Sequence, residues 1–510
     1  MARVGLVSLY VVESNGIRYL ASALRGAGIS TDECYVGQHL HHAPPRFDPQ
    51  VAAQLVEHFR SRDVGLVGIS VRIGALVALS AQLTRTLKQE LGVPVVWGGP
   101  HVSMAPEECI PHTDYLVLGE GEAALCELAR NLLDGKPSGD IRNVWSNTDG
   151  DIRRNPLRPL VEDIDSFPFP DFHSNEDKFW FLDGRVTTGD PLSREPCYRL
   201  MATRGCVKNC GFCGVSAFRR LYKGGGRFYR VRSVENTLAE IEHARTVRPS
   251  IRYIRFDDEL FALQRDWIEE FCRGYRQRVG LPFNILSSPQ VLDDSTIDIL
   301  AEAGLDLVYL GVQTTSAANR ERYDRLVPDD DVRRCVSRLQ ARGVRPSIQI
   351  LIDDPDTGEA EKAELLELLL SLPRPFDLHI YSLCHWPGTT RTLQLLASGT
   401  VLPADVEGAN SKALHQFNAD FTHPRPPGDT LLLALYMLSN KSGFPRALVR
   451  RMAASRYLHD HPAMAVATAR AVNAGKLVAR GTTALVRGEL SLLQLKQWMA
   501  GWRSGALPSI

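Results

Sequence analysis

The chain has 510 residues, 44% hydrophobic and 23% charged, and its 59 basic and 59 acidic side chains cancel to a formal charge of zero. That length suits about three domains, and the charge balance excludes a globally basic nucleic-acid coat and an acidic disordered chain. No opening segment joins a basic stretch to an apolar one, and no stretch approaches the roughly 18 apolar residues of a spanning helix, so a cytoplasmic protein without a membrane anchor is expected.

The chain opens on the apolar run ARVGLVSLY and the helical pattern NGIRYLASALRGAG. DVGLVGISV, GALVALSAQLTRTLKQELG, VPVVWGGP, DYLVLGEGE and ALCELARNLLDG continue the alternation. Near-continuous Val, Leu and Ile strands between helices of period 3.6 predict an open, Rossmann-like parallel sheet over residues 1–140. Ligands of such sheets bind beyond the carboxyl ends of the strands. This rim comprises Tyr10 to Gly16, Ser70 to Gly74, Gly98 to His101 and Gly119 to Glu122. No G-x-G-x-x-G opens a helix there, which disfavours a dinucleotide. Residues 141–196 carry proline at short intervals (DIRRNPLRPL, FPFPDF) and read as a linker folded against its neighbours, with Phe167, Phe169 and Phe172 as packing residues.

Most of the ten cysteines are scattered singly, as small buried hydrophobes are. MATRGCVKNCGFCGVSAF instead bunches Cys206, Cys210 and Cys213 at spacings of three and two intervening residues. Structural zinc takes four protein ligands, and no second pair follows here. Three thiolates instead suit three irons of a cubane, leaving the fourth open. Downstream, strands IRYIRFDD, FNILSSP, LDLVYLGVQT, VRPSIQILI and DLHIYSLCHWPG alternate with helical segments, predicting a partial or complete β/α barrel over residues 197–390. Its strand ends carry Asp257, Asp258, Ser287, Ser288, Gln313, Thr314, Gln349 and Tyr381; the paired aspartates equally suit a helix cap. Arg230 and Arg232 suit either an anion brace or a solvated positive face.

The C-x3-C-x2-C motif, with Phe212 before its last cysteine, resembles that of the radical S-adenosylmethionine (SAM) enzymes. The resemblance implies a [4Fe-4S] cluster on Cys206, Cys210 and Cys213, with SAM at the open iron. It further implies SAM contacts from Phe212, Asp258, Ser288 and Gln313. Many relatives carry glutamate where Gln313 stands, so this contact to the SAM amino group would be neutral here. HWPGTT resembles the family's turn at the barrel's end.

An α/β unit before this barrel, with ISV, VVWGGPH, YLVLGEGE and FPFPDF, resembles the cobalamin-binding branch of the family. The resemblance covers about residues 1 to 390 and implies a corrinoid at the rim, near Tyr10, Ser70, Gly98, Gly99, Gly119 and Glu120. D-x-H-x-x-G is absent, which implies cobalt without a lower histidine or a loss of cobalamin binding; HLHHAPP, with His39, His41 and His42, reads as surface loop. The reaction implied is methyl transfer to a carbon of a small biosynthetic intermediate. One SAM methylates the corrinoid and a second yields the radical that removes a hydrogen atom, with electrons from a flavodoxin or ferredoxin. A radical cyclase, rearranging enzyme or oxidase, and a non-catalytic corrinoid or iron-sulfur module, are the alternatives. Residues 391–510 read as a helical domain (DTLLLALYMLSN, FPRALVRRMAASRYLHD, PAMAVATARAVNAG, LSLLQLKQWMAGW) whose arginine-rich faces either pack on the barrel or close over the substrate.

Overall fold

The computed structural model describes residues 2–37, 47–172, 176–182, 184–261, 263–407 and 419–486; His39, His41, His42 and LSLLQLKQWMAGW lie outside them. The chain divides into two units, one of residues 1–40, 44–285 and 385–412 and one of residues 41–43, 286–384 and 413–510. Among the described residues no helix is long and apolar enough to cross a membrane.

The first unit begins with β1 (Arg3–Leu9), α1 (Asn15–Gly26), β2 (Thr31–Val36), α2 (Pro49–Ser61), β3 (Val64–Ser70), α3 (Val77–Leu91) and β4 (Val95–Gly98). The short helices α4 (Pro100–Met104) and α5 (Pro106–Cys109) lead to β5 (Tyr115–Val117) and α6 (Glu122–Leu133). Residues 141–196 do more than link: they supply β6 (Val144–Thr148), β7 (Asp151–Arg154), β8 (Lys178–Leu182) and β9 (Arg185–Thr188). All nine strands form one sheet in the order β7-β6-β5-β4-β3-β1-β2-β8-β9, parallel from β5 to β8 and antiparallel at its margins.

Alternation places Val4 and Leu6 in one apolar cluster with Ile17, Ala21 and Leu24 of α1 and Leu125 and Leu128 of α6. Gly5 points the other way and abuts the Phe59 ring of α2. With both faces covered, the strands are apolar throughout. β1 runs between β2 and β3, so the strand order reverses beside it, and the carboxyl ends of β1 and β3 flank a topological switch point.

β2 is buried along its whole length yet contains Asp32 and Glu33. Asp32 is met by Arg3 at 2.7 Å, Arg62 at 2.9 Å and His58 at 3.1 Å. Glu33 is met by Arg25 at 3.2 Å, Lys178 of β8 at 3.5 Å and the Tyr35 hydroxyl at 2.7 Å. Acids therefore stand in a core strand because partners from four other elements neutralise them.

After β10 (Cys197–Leu200) the chain forms a two-stranded ribbon of β11 (Thr203–Arg204) and β12 (Arg230–Val231), with α7 (Gly214–Leu221) between them. Then come α8 (Val234–Val247), β13 (Tyr253–Phe256), α9 (Arg265–Arg278) and β14 (Phe283–Ser287), which straddles the division between the units. In the first unit an aromatic cluster of Phe256, Phe261, Trp267, Phe271, Tyr275 and Phe283 packs β13 and β14 against α9.

The second unit continues with α10 (Asp294–Glu302), β15 (Leu305–Gln313), α11 (Ala317–Arg322), α12 (Asp329–Ala341), β16 (Arg345–Ile352), α13 (Glu359–Ser371) and β17 (Asp377–Ser382). The second sheet has the order β10-β13-β14-β15-β16-β17, with β10 and β17 as its edges, so the described residues build a partial barrel of six strands. α14 (Thr390–Ala397), capped by Thr389 of HWPGTT, and α15 (Pro403–Glu407) return to the first unit.

α16 (Pro427–Ser439), α17 (Arg446–Ala453), α18 (Arg456–Asp460) and α19 (Ala463–Val486) belong to the second unit. FPRALVRRMAASRYLHD forms two helices because the Ser455 hydroxyl accepts from the Leu458 amide and starts α18 anew. The arginines of α17 face α13: Arg450 pairs with Glu367 at 2.8 Å and Arg446 donates to the Leu372 carbonyl.

Arg62, His58 and Arg3 outweigh burial and hold the Asp32 carboxyl down at about 2. A depressed acid contributes stability that is complete above its ordinary pKa near 4 and lost as pH falls through the folded value. Asp32→Asn is expected to cost about 3 kcal/mol at neutral pH, because Arg3 and Arg62 lose their common partner. Its deficit against wild type should shrink between pH 4 and 2, and denaturant titrations across that range measure it.

Candidate functional site

The ribbon of β11 and β12 is the neck of the cysteine loop, and Arg204 and Arg230 stand directly opposite each other in it. Within the loop Cys206 and Cys210 are buried and Cys213 is half-buried. The Cys213 amide donates to the Cys210 carbonyl at 3.0 Å, and the Ser216 hydroxyl donates to the Cys213 carbonyl at 2.7 Å, which starts α7. Arg219 donates to the Cys206 carbonyl, and the Arg391 amide of α14 donates to the Gly211 carbonyl at 2.8 Å. Phe212 lies half-buried between the second and third cysteines.

Burial first, then Glu259, pushes the Cys213 thiol up to about 12. The protein alone thus keeps this sulfur protonated, whereas a ligated cation would stabilise the thiolate. Among the described residues no three His, Cys, Asp or Glu side chains converge on one ion. A cubane engages each thiolate through a different iron, so its ligands need no common focus. The donor set of three thiols on one anchored loop fits that cluster.

Asp258, at the end of β13, accepts from the Thr203 hydroxyl at 2.5 Å and the Ala202 amide at 3.2 Å. Its carboxylate therefore fixes the turn between β10 and the cysteine loop, and burial raises its pKa to about 6. Asp257 pairs with Arg199 at 2.6 Å and Arg255 at 2.7 Å, not with a helix amide as a cap would. Arg199 also reaches Glu13, beyond β1, at 3.5 Å.

Two residues that the sequence did not single out lie in the same charged group. Glu259 is solvent-accessible, and loss of bulk water, Asp258 and Asp257 push it up to about 7. Arg72, just past β3, is accessible too, and desolvation and Arg199 lower its pKa. Neither has an ion pair among the described residues.

On the rim, Tyr10 holds a left-handed φ of 56°, a strained conformation for a bulky residue, and its ring covers Gly37. Ser70 closes β3 half-buried, and Gly98 ends β4 with only ordinary contacts around it. Gly99 and Gly119 answer to protein atoms. At Gly99 a Cβ would lie 3.0 Å from the Val71 carbonyl oxygen, and at Gly119 it would collide with the Tyr222 hydroxyl. The Glu120 amide donates to that hydroxyl at 2.8 Å, and the Glu120 carboxylate is held by Arg230 and, at 3.5 Å, by Arg204. Arg230 and Arg232 are consequently neither solvated nor available to an external anion: both are buried, and Arg232 pairs with Glu240 at 2.5 Å. The rim histidine His101 is buried, with Nε2 on Glu108 at 3.0 Å and Nδ1 without a hydrogen-bond partner among the described residues.

In the second unit Ser287 and Ser288 are buried, and the Ser288 hydroxyl has no hydrogen-bond partner among the described residues, an orphan that suits a ligand atom. Gln313 ends β15 after a register shift and holds a φ of 70°. Thr314 accepts from the Ser316 amide at 3.3 Å, and Gln349 donates to the Tyr381 hydroxyl at 3.4 Å. Asp353, just past β16, also has a positive φ of 64° and is clamped by the buried Arg425 at 2.7 Å.

Comparison with known proteins places these two sheets. The B12 binding domain model matches residues 3–129 and the radical SAM superfamily model residues 200–369. An uncharacterised methyltransferase of Pyrococcus horikoshii is 26% identical over 334 residues, spanning 64% of this chain and 67% of that protein. The cobalamin-dependent SAM radical enzyme OxsB with aqua-cobalamin bound superposes with a TM-score of 0.65 at 16% identity, over 98% of this chain and 84% of that one. The radical SAM methyltransferase TsrM of Kitasatospora setae, with cobalamin and a [4Fe-4S] cluster bound, gives 0.64 at 17% identity, over 89% and 99%. The chain thus joins a region that matches the B12 binding domain to one that matches the radical SAM superfamily, and its fold is close to that of the cobalamin-dependent radical SAM enzymes.

Proposed function

We propose that the protein is a cobalamin-dependent radical SAM methyltransferase acting on a carbon centre of a small biosynthetic intermediate. The observation that carries this reading is the joining, within one unit, of the C-x3-C-x2-C loop to the rim of the B12-type sheet. Chemistry at both cofactors must meet at one substrate, and proximity is what the protein contributes. Methyltransferases among the relatives support the reaction type.

When bound, the cluster, SAM and the corrinoid supply the electron, the hydrogen-abstracting radical and the transferable methyl group. The chain's residues hold and orient them. Cys206, Cys210 and Cys213 take the cluster, and Asp258 sets the turn that delivers their loop. The resemblance assigns SAM to Phe212, Ser288 and Gln313, and within the second unit Ser288 offers an unpartnered hydroxyl. Tyr10, Ser70 and Gly98 would hold the corrinoid at the strand ends of the B12-type sheet, with the accessible Arg72 beyond β3 and Glu259 beyond β13. A flavodoxin or ferredoxin supplies the electrons. Substrate choice falls to groups outside these shared elements, the carboxy-terminal helices among them.

Anaerobic reconstitution should give about four irons per chain in the wild type and almost none after Cys206, Cys210 and Cys213 are all replaced by alanine. Full iron retention in that variant would remove the cluster assignment.

Hydroxocobalamin should bind, and electron paramagnetic resonance of its reduced form should show no histidine nitrogen on cobalt, as the absence of D-x-H-x-x-G implies. No binding would leave a cobalamin-free radical enzyme.

Incubation with candidate metabolites, a low-potential reductant, corrinoid and methyl-labelled SAM should transfer label to carbon, with 5′-deoxyadenosine and S-adenosylhomocysteine in comparable amounts. Deoxyadenosine beside an unlabelled, rearranged or dehydrogenated product would select a cyclase, rearranging enzyme or oxidase instead.

A further inference from the structure

The cysteine loop leaves and re-enters the fold through a neck at which two arginines face each other across paired strands. Like charges placed directly opposite repel and would open such a ribbon. Both are withdrawn from water, Arg204 at 16% and Arg230 at 3% side-chain exposure, so solvent does little to screen them. The neutralising carboxylates come from the loop between β5 and α6 of the B12-type sheet, which holds Glu120, and from Glu122 at the start of α6. Arg204 pairs with Glu122 at 2.6 Å and with Glu120 at 3.5 Å, and Arg230 holds Glu120 through both of its oxygens. Phe167 lies under the Arg204 guanidinium at 4.1 Å from its ring centre and excludes water from one face. The sheet touches the cysteine segment at two further points: the Tyr222 hydroxyl fills the Gly119 niche, and Met104 of α4 packs against Gly214 at the start of α7.

We propose that Glu120 and Glu122 are positioning residues that close the neck of the cysteine loop, so that assembly of the cluster depends on the B12-type sheet. The proposal rests on the cluster reading above only for its consequence; the clasp itself is a property of the protein without cofactors. The sequence pattern assigned Glu120 to the corrinoid, whereas its side chain is engaged by the loop that carries the cysteines.

The test is the rate at which a small alkylating reagent labels Cys206 and Cys210 in the cofactor-free protein, read cysteine by cysteine by mass spectrometry. Glu120→Gln with Glu122→Gln should label them about tenfold faster, the effect of losing charge-assisted bonds worth roughly one decade in the opening equilibrium. Buried Cys34 and Cys272 should keep the wild-type rate and exclude general unfolding. Adding Arg204→Gln to the double variant removes one of the facing charges and should return the rate most of the way to wild type, which a purely packing role of the glutamates would not do. Iron uptake on reconstitution should follow the same order. Wild-type labelling in the double variant, or no recovery on removing Arg204, overturns the clasp. A labelling response in a protein that takes up no iron supports the clasp and overturns the cluster reading instead. If Cys34 and Cys272 also become exposed in the double variant, Glu122→Gln alone serves for the same comparison, with the same outcomes decisive.

Discussion

A charge withdrawn from water has to be met by an opposite charge nearby, and this protein meets that demand between elements rather than within them. Asp32 and Glu33 in the middle of β2 draw on α1, α2, β1 and β8. Arg18 of α1, buried completely, is paired with Asp190 and sandwiched by Tyr35 and Phe172. Arg204 and Arg230 at the cysteine loop depend on Glu120 and Glu122. Breaking one partner in any of these sets strands a charge, so each fixes a particular docking of one segment on another.

The same logic explains FPFPDF. Its three phenylalanines all pack, and each also lies against a guanidinium: Phe167 under Arg204, Phe169 under Arg232, and Phe172 between Arg18 and Arg248. The rings shield one face of each cation, while carboxylates occupy the edges of Arg18, Arg204 and Arg232. An apolar run in the sequence thereby becomes a stabiliser of buried charge.

The parallel strands and their helices were legible because an apolar run or a 3.6-residue period is contained in a dozen neighbouring residues. The cysteine motif was legible for the same reason, since its three sulfurs lie within eight positions. What could not be read was settled by partners far along the chain. Arg230 meets Glu120 across 110 positions, so no local pattern distinguishes an internal brace from a solvated face or an anion site. β8 and β9 were hidden because their register is set by β2, and β9 is exposed along its whole length. Gly99 and Gly119 were placed near the corrinoid, and the approach of Val71 and Tyr222, far along the chain or beyond a turn, is a second reason for glycine that no local pattern shows. Arg72 is a single polar residue after a strand, and Glu259 only lengthens the Asp257–Asp258 pair, so neither carries a spacing signal.

The route of residues 144–188 bears on how the protein is made. The chain adds β6 and β7 at one edge of the first sheet and then β8 and β9 at the other. Until β8 arrives, β2 is an open edge with Glu33 short of the Lys178 ammonium. A nascent chain released after only the first 140 residues would present two unpaired strand edges, the templates on which aggregation begins. Synthesis must proceed to about residue 190 before the sheet can close its margins, by which point the segment leading to the cysteines is next to emerge. Vectorial folding of the first sheet thus finishes just as the loop it clasps is produced.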